Sequence, residues 1–240
     1  MNTVAAVQPK SGLLVRYFSP ILGLAVAAIA VYGFGHTVGE VFVHYTTRPP
    51  PILYVHVLVS SCWVILFIVQ SSLISSGNVR THRKMGLWGL ALGAAVCVVG
   101  LITVFVMRQR DIDSGGGAQA IADLSIPLYS LLSFAVPFLI AAGWRRKPEL
   151  HRRLMILATC SVTFAALARV PALGDTWAPI GTNILLVTAA AVDRVRTGRF
   201  HRVYLIGIPL MFLGEGLCLY LAATSPPAWM AVARFLLGRA

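Results

Sequence analysis

Charged side chains are scarce in this 240-residue sequence: Asp, Glu, Lys and Arg make up 12% of it, against about 25% in a typical soluble domain. Hydrophobic residues account for 58%. A water-soluble domain needs a larger polar surface than this composition supplies. The composition therefore excludes a soluble fold and predicts an integral membrane protein.

Acidic residues are the scarcest charged group, with 8 Asp and Glu against 20 Lys and Arg, and the formal net charge is +12. In a soluble chain this charge would suggest nucleic acid as the ligand. Here the basic residues collect in short segments between apolar runs, without the interleaved aromatic residues of a strand-binding surface. We therefore expect the charge to face the anionic cytoplasmic leaflet of a lipid bilayer, with no nucleic-acid partner.

Cysteines are few, and the common catalytic motifs are missing. The four cysteines, Cys62, Cys97, Cys160 and Cys218, each fall within an apolar run without CxxC spacing, so we interpret them as buried hydrophobic side chains. The sequence has no GxGxxG, Walker lysine, HExxH, GxSxG or CxxCH. This pattern argues against enzymes that use those motifs and favours a non-catalytic role.

Seven apolar runs are long enough to cross a bilayer, which requires about 20 residues in a helix. They cover residues 18–43, 52–75, 85–107, 124–144, 151–171, 177–195 and 203–224. The first run lacks a small-residue cleavage pattern and is followed by His36 and Glu40, so we interpret it as a retained helix and not a signal peptide. The sequence predicts an all-α integral membrane protein: one domain, residues 1–240, built as a bundle of about seven transmembrane helices.

The loops between these runs alternate in charge. Three of them are basic and contain Arg80, Arg83 and Lys84; Arg145, Arg146, Lys147, Arg152 and Arg153; and Arg194, Arg196, Arg199 and Arg202. The loops around 46–51, 111–123 and 174–179 carry acidic residues, Pro and Gly instead. The positive-inside rule then predicts a cytoplasmic amino terminus and a carboxyl terminus on the other side.

A short amphipathic segment follows the last run. Trp229, Val232, Phe235 and Leu236 have helical spacing, and Arg234 and Arg239 lie beside them. This pattern predicts a carboxyl-terminal helix at the membrane interface.

Polar residues near the cytoplasmic ends of the runs form a predicted inner layer. It contains His82, His151, His201, Asp193 and Gln70. Each of the three histidines directly precedes an arginine at a helix start. Neutral imidazoles bind transition metals and haem iron, and arginines neutralise haem propionates. One interpretation is a site for haem b or a transition metal formed by these histidines with Arg83 and Arg152. The alternative places the His-Arg pairs among lipid headgroups.

A predicted outer layer lies near the opposite ends of the runs. His36, Glu40 and His44 have i, i+4, i+8 spacing, so they share one helix face, and His56 lies just inside the second run. These four residues form a hypothetical metal site. Arg169, near the end of the fifth run, belongs to the same layer.

Glu215 lies within the last apolar run, between Gly214 and Gly216. A carboxylate inside the hydrocarbon region must be protonated or paired. The flanking glycines permit close helix approach, which would bring Arg169 or a histidine within reach. Glu215 then either pairs with a basic residue and holds two helices together, or serves as a functional acid, and the sequence favours the two alternatives equally.

His56, Trp63 and Gln70 recur every seven residues and form a stripe on one face of the second helix. A polar stripe in lipid should face the bundle. Hydrogen bonds between helices are the favoured interpretation, and a proton or quinone path is the alternative.

The stripe is part of a longer resemblance. His56, Trp63, Gln70, Leu73, Gly77, His82, Arg83 and Gly86 resemble an uncharacterised family of bacterial multi-pass membrane proteins. The likeness continues in Pro148, His151, Arg152, Met155, Asp193 and the run from Gly198 to His201, and so covers most of the chain from the second helix onward. The resemblance implies no particular activity. More loosely, the His-Arg pairs are similar to those of small membrane proteins that handle haem or assist oxidase assembly.

These features lead to one functional prediction and two alternatives. The prediction is an accessory or assembly subunit of a respiratory or photosynthetic complex in the bacterial cytoplasmic membrane, with lipid and other membrane subunits as partners and one haem or metal held by histidines. The first alternative is a small proton-coupled transporter in which Glu215, Arg169 and the stripe through Gln70 line a path. The second is a membrane-embedded metal enzyme that acts on a lipid or quinone.

Overall fold

The computed structural model describes residues 12–38, 48–171 and 174–239, and the chain in these ranges is helical, without strands. The helices are α1 (Leu13–Val38), α2 (Pro51–Ser75), α3 (Val79–Asp111), α4 (Gly117–Ala122), α5 (Ser125–Gly143), α6 (Pro148–Ser161), α7 (Thr163–Leu167), α8 (Gly174–Thr197), α9 (Arg202–Thr224) and α10 (Pro227–Leu236). A π-helical turn, Ile112–Gly116, joins α3 to α4. The all-α prediction is confirmed for the described residues.

Six stretches of helix are long and apolar enough to cross a membrane. They are Val15–Gly35, Pro51–Ser75, Val79–Ala122, Ser125–Gly143, Pro148–Leu167 and Arg202–Thr224. The predicted run 177–195 lies within α8, which is not one of the six. Polar residues inside α8, among them Asn183 and Asp193, lower its hydropathy. The described helices therefore support a multi-pass membrane protein.

Local sequence signals explain several helix starts. Proline occupies the first turn of α2, α6 and α10, where its missing N–H removes no helical hydrogen bond. The Asn78 side chain accepts a hydrogen bond from Thr81 N (3.2 Å) and caps α3. Gly77 precedes it with φ +85°, a left-handed conformation that favours glycine in the tight turn between α2 and α3.

Neighbouring helices pair as hairpins. Helix α2 packs against α3 and α5 against α6, while α1 contacts both α2 and α7, and α9 lies against α5. One core centres on Trp63, whose ring meets Phe134 and Phe138 edge to face with centroids 5.0 and 5.5 Å apart. This arrangement joins the α2/α3 hairpin to α5.

Helices α1 and α7 approach each other closely at Gly33. A Cβ atom at Gly33 would stand 2.1 Å from the backbone oxygen of Ala166. Only glycine fits this contact without moving the backbone, so Gly33 sets the distance between these two helices.

The predicted carboxyl-terminal helix is present as α10. Trp229 Nε1 donates to the Ala122 carbonyl (2.9 Å), and Ala233 is completely buried. Phe235, on the opposite face, is 78% exposed. Gln109 Nε2 also donates to the Leu237 carbonyl (2.7 Å). These contacts hold one face of α10 against α4 and the end of α3 while an apolar face stays exposed.

Candidate functional site

The inner layer is organised around Asp193. Its Oδ1 accepts a hydrogen bond from Arg152 Nη2 and its Oδ2 accepts one from Arg153 Nε, each over 2.6 Å. Arg153 Nη1 also donates to the Glu149 carboxylate (2.5 Å). Arg153 and Asp193 are 1% and 3% exposed. We call Glu149, Arg152, Arg153 and Asp193 the inner ion network; it joins α6 to α8.

Sequence reasoning identified Asp193 and Arg152 but missed Arg153 and Glu149 as members of this network. Arg152 was predicted to neutralise a haem propionate, whereas the structure pairs it with Asp193. The i, i+4 spacing of Glu149 and Arg153 was the available signal, because it places opposite charges on one face of a helix start. Arg83 stays exposed, apart from the network.

The inner histidines each use Nδ1 in a hydrogen bond. His151 Nδ1 lies 2.9 Å from the Ala141 carbonyl, so this nitrogen must carry a proton, and in the neutral form of the ring the Nε2 atom keeps its lone pair. His201 Nδ1 instead accepts from the Val203 N–H (3.2 Å) and caps α9. The Gln70 amide fits its surroundings when its nitrogen faces the His82 carbonyl oxygen (3.3 Å), and in this orientation Nε2 donates to His82 Nδ1 (2.6 Å). The neutral forms of His82 and His201 therefore carry their protons on Nε2.

These hydrogen bonds decide which inner histidine can bind a metal. Metal ligation requires an imidazole lone pair, and a ligating histidine commonly donates its other N–H to a carbonyl. His151 meets both conditions, and His82 and His201 do not in the neutral forms fixed by their partners. In the described part of the chain, no three His, Cys, Asp or Glu side chains lie close enough to share a metal ion.

His201 lies just before α9 and titrates in a positively charged setting. Burial, and then the charge of Arg153, lowers its pKa below the ordinary value of 6.5, while Asp193 and Glu149 oppose this shift. The lowered pKa agrees with the cap, because Nδ1 accepts a hydrogen bond only when it is deprotonated.

The predicted outer layer is described only in part. Glu40, His44 and the side chain of His36 lie outside the described residues. His56 is half-buried on α2, within electrostatic range of Arg169. The Arg169 guanidinium lies 4.7 Å from the centre of the Phe34 ring, a cation–π contact between α1 and the end of α7.

Two residues of the stripe on α2, Trp63 and Gln70, contact neighbouring helices. Trp63 is 5% exposed within the aromatic core, and Gln70 binds His82 at the start of α3. Gln70 Oε1 also accepts from the Gly86 N–H (3.3 Å). Gln70 thus forms the hydrogen bonds between helices that the favoured interpretation expects, whereas the buried Trp63 Nε1 has no hydrogen-bond partner among the described residues.

Glu215 is buried on α9, and its partner is an amide. Asn183 Nδ2, on α8, lies 3.1 and 3.4 Å from the two carboxylate oxygens. The sequence had suggested Arg169 or a histidine. A Cβ atom at Gly214 would stand 2.7 Å from the Tyr129 ring, so this glycine does permit close approach of α5 and α9, whereas Gly216 faces open space.

A small cavity lies beside this carboxylate. Its polar lining comes from Glu215, Asn183, Tyr129, Ser133, Ser161 and Thr182, and it has room for one water molecule. Asn183 was missed in the sequence, although a carboxamide inside an apolar run is the expected sign of a buried polar site. A second cavity of similar size lies beside Asp193 and Tyr204, at the inner end.

Comparison with known proteins places the chain in no established group: no protein family, curated protein or solved structure matches it. The features of the chain that bear on its function are therefore the inner ion network, the inner histidines and the cavity beside Glu215.

Proposed function

We propose that this protein is an accessory or assembly subunit of a respiratory or photosynthetic complex in a bacterial cytoplasmic membrane. The observation that supports this role is the double pairing of Asp193 with Arg152 and Arg153. A carrier needs charged groups that exchange partners with its solute. Here the acids of the inner end, Asp193 and Glu149, already bind arginines of the same chain, which favours a fixed scaffold.

The surface of the inner end supports a role in assembly. Its exposed basic side chains are Arg80, Arg83, Lys84, Arg145, Arg146, Lys147, Arg194, Arg196, Arg199 and Arg202. Because Arg152 and Arg153 take up both nearby acids, these cations give this surface a strong positive potential. Anionic headgroups and an acidic face of a partner subunit are the complementary surfaces.

The proposal includes seven helices that cross the membrane. Helix α8 is the sixth of them in chain order, and the amino terminus lies in the cytoplasm. Helix α8 has 24 residues, which at about 1.5 Å per residue suffice for a hydrocarbon core of about 30 Å. It packs against α6, α7 and α9, and its polar residues Thr182 and Asp193 are buried in the bundle. The basic loops then share one side of the membrane.

A haem or metal, where the complex carries one at this subunit, would take His151 as its ligand. An absorption spectrum and metal analysis of the protein purified from native membranes test this part. We expect a Soret band or bound metal that is lost in His151→Ala and kept in His201→Ala. A signal that survives His151→Ala would contradict this assignment.

The accessory role is tested by purifying the tagged protein from native membranes in a mild detergent and identifying its partners by mass spectrometry. We expect subunits of a respiratory or photosynthetic complex in fixed proportion to the protein. Neutralising part of the basic surface, as Arg145→Gln with Arg146→Gln, should weaken the association. Arg234→Gln, an exposed arginine on α10, is the matched control.

Two results would overturn the proposal. One is a protein that purifies without any subunit of a redox complex. The other is uptake of a solute by vesicles containing the protein alone, which would favour the carrier.

A further inference from the structure

The cavity beside Glu215 presents oxygen lone pairs and almost no donors. The hydroxyls of Ser133 and Ser161 donate to backbone carbonyls of their own helices (2.9 and 2.8 Å). Tyr129 Oη donates to the Met211 carbonyl (2.6 Å). Since each hydroxyl has one hydrogen, all three oxygens keep only acceptor capacity toward the cavity.

The remaining polar groups extend this pattern. Thr163 Oγ1 donates to the Cys160 carbonyl (2.7 Å), so Thr182 must be the donor in the 3.1 Å bond between the two threonine hydroxyls. Asn183 Oδ1 is buried and has no hydrogen-bond partner among the described residues. The Asn183 Nδ2 donor is turned toward Glu215. The hydroxyl hydrogens of the lining are all used in hydrogen bonds within the protein, so the other side-chain oxygens offer only lone pairs to the cavity.

The charge of the lining is also unbalanced. Glu215 is 8% exposed, and none of the described residues that line the cavity is a lysine, arginine or histidine. An ionised carboxylate in this setting is unstable without a positive partner. The amide of Asn183 supplies a hydrogen bond but no charge.

We propose that this cavity binds one sodium ion. A proton on Glu215 would neutralise the carboxylate but donate to a single acceptor, which leaves the other oxygens unsatisfied. A hard cation binds several oxygens at once and so satisfies the carboxylate, Asn183 Oδ1 and the hydroxyls together. A divalent ion would leave a net positive charge in the bilayer. An unhydrated sodium ion fits the space of one water molecule.

The sodium site is independent of the accessory role, and the purified protein tests it directly. Binding of radiolabelled Na⁺ is measured in detergent, and the unfolding temperature is compared in NaCl and choline chloride of equal ionic strength. We expect saturable binding and a higher unfolding temperature in NaCl. Glu215→Gln should abolish both effects. Asn183→Leu should weaken binding about tenfold or more, a loss typical of disturbed metal sites.

Asp113→Asn makes the corresponding carboxylate-to-amide change at an exposed site and should leave Na⁺ binding unchanged. Wild-type protein that binds no Na⁺ would overturn the proposal, even if the variants fail to fold. Binding that persists in a folded Glu215→Gln protein would also overturn it. An unfolding temperature that does not respond to Na⁺, with a pH response that is lost in Glu215→Gln, would assign Glu215 as a proton site instead.

Discussion

Arg153 Nε donates to Asp193 Oδ2 over 2.6 Å, with both side chains almost completely buried. The pair joins the start of α6 to the last turns of α8, at the end of the bundle that also presents the basic loops. Burial keeps both side chains away from solvent, so each charge depends on its ion-pair partners for stability. Loss of Asp193 would leave Arg152 and Arg153 with only the exposed Glu149 carboxylate, and an unbalanced buried charge costs far more than loss of a surface pair.

Asp193→Asn should therefore lower the free energy of unfolding by about 3–5 kcal/mol, the range measured when one member of a buried ion pair is removed. Asp113→Asn removes the partner of Arg239 in an exposed pair and should cost about 1 kcal/mol or less. Reversible unfolding in mixed detergent micelles measures both. Equal losses in the two variants would show that burial does not set the strength of the Asp193 pair.

The cap at His201 should make stability depend on pH. The pKa of His201 is lowered in the folded protein, so the unfolded state binds the proton more tightly. The stabilisation that the cap provides is therefore complete above the ordinary pKa of 6.5. Stability should fall as the pH drops below that value. His201→Asn keeps a capping acceptor without a titrating group, so its unfolding temperature should fall less between about pH 7.5 and about pH 5.5. An identical pH response in both proteins would rule out His201 as the cause.

Much of the fold could be predicted from the sequence because the bilayer imposes helix length and apolar composition. The ends of α2, α5 and α9 lie within two residues of the predicted runs. The third run is predicted to end near residue 107, whereas α3 continues to Asp111 and a kinked segment joins it to the short helix α4, which ends at Ala122. Hydropathy does not report this extension, because the turn is polar and its geometry depends on glycines such as Gly115 (φ +97°).

The site was less predictable, since the partners of polar residues depend on packing. Layering along the helices correctly placed Asp193 near the inner basic residues. It could not distinguish Arg152 as a cofactor ligand from Arg152 as a partner of Asp193, a choice made by the contact between α6 and α8. The pairing of Glu215 with Asn183 likewise needed the order of α8 and α9 in the bundle.

The proposed crossing of α8 predicts a specific arrangement of loops. A topology reporter inserted after Lys147 and another after Gly198 should both report the cytoplasm, and one at the carboxyl terminus should report the opposite side. Reporter activity in whole cells, with expression verified by immunoblot, measures each position. If α8 does not cross, the reporters after Lys147 and Gly198 will lie on opposite sides.

The contact between α1 and α7 can be tested by comparing two glycine-to-alanine substitutions on α1. At Gly33 a methyl group would stand 2.1 Å from the Ala166 carbonyl oxygen, so Gly33→Ala must push two backbones apart and should cost about 1–3 kcal/mol. Gly35 lies on the same helix with no atom within 4 Å of its added Cβ. Gly35→Ala should be neutral or stabilise the helix by up to about 1 kcal/mol, since alanine is the better helix former. The two changes alter composition identically, so a difference in unfolding free energy isolates the steric contact. Equal effects would mean that α1 does not approach α7 at Gly33.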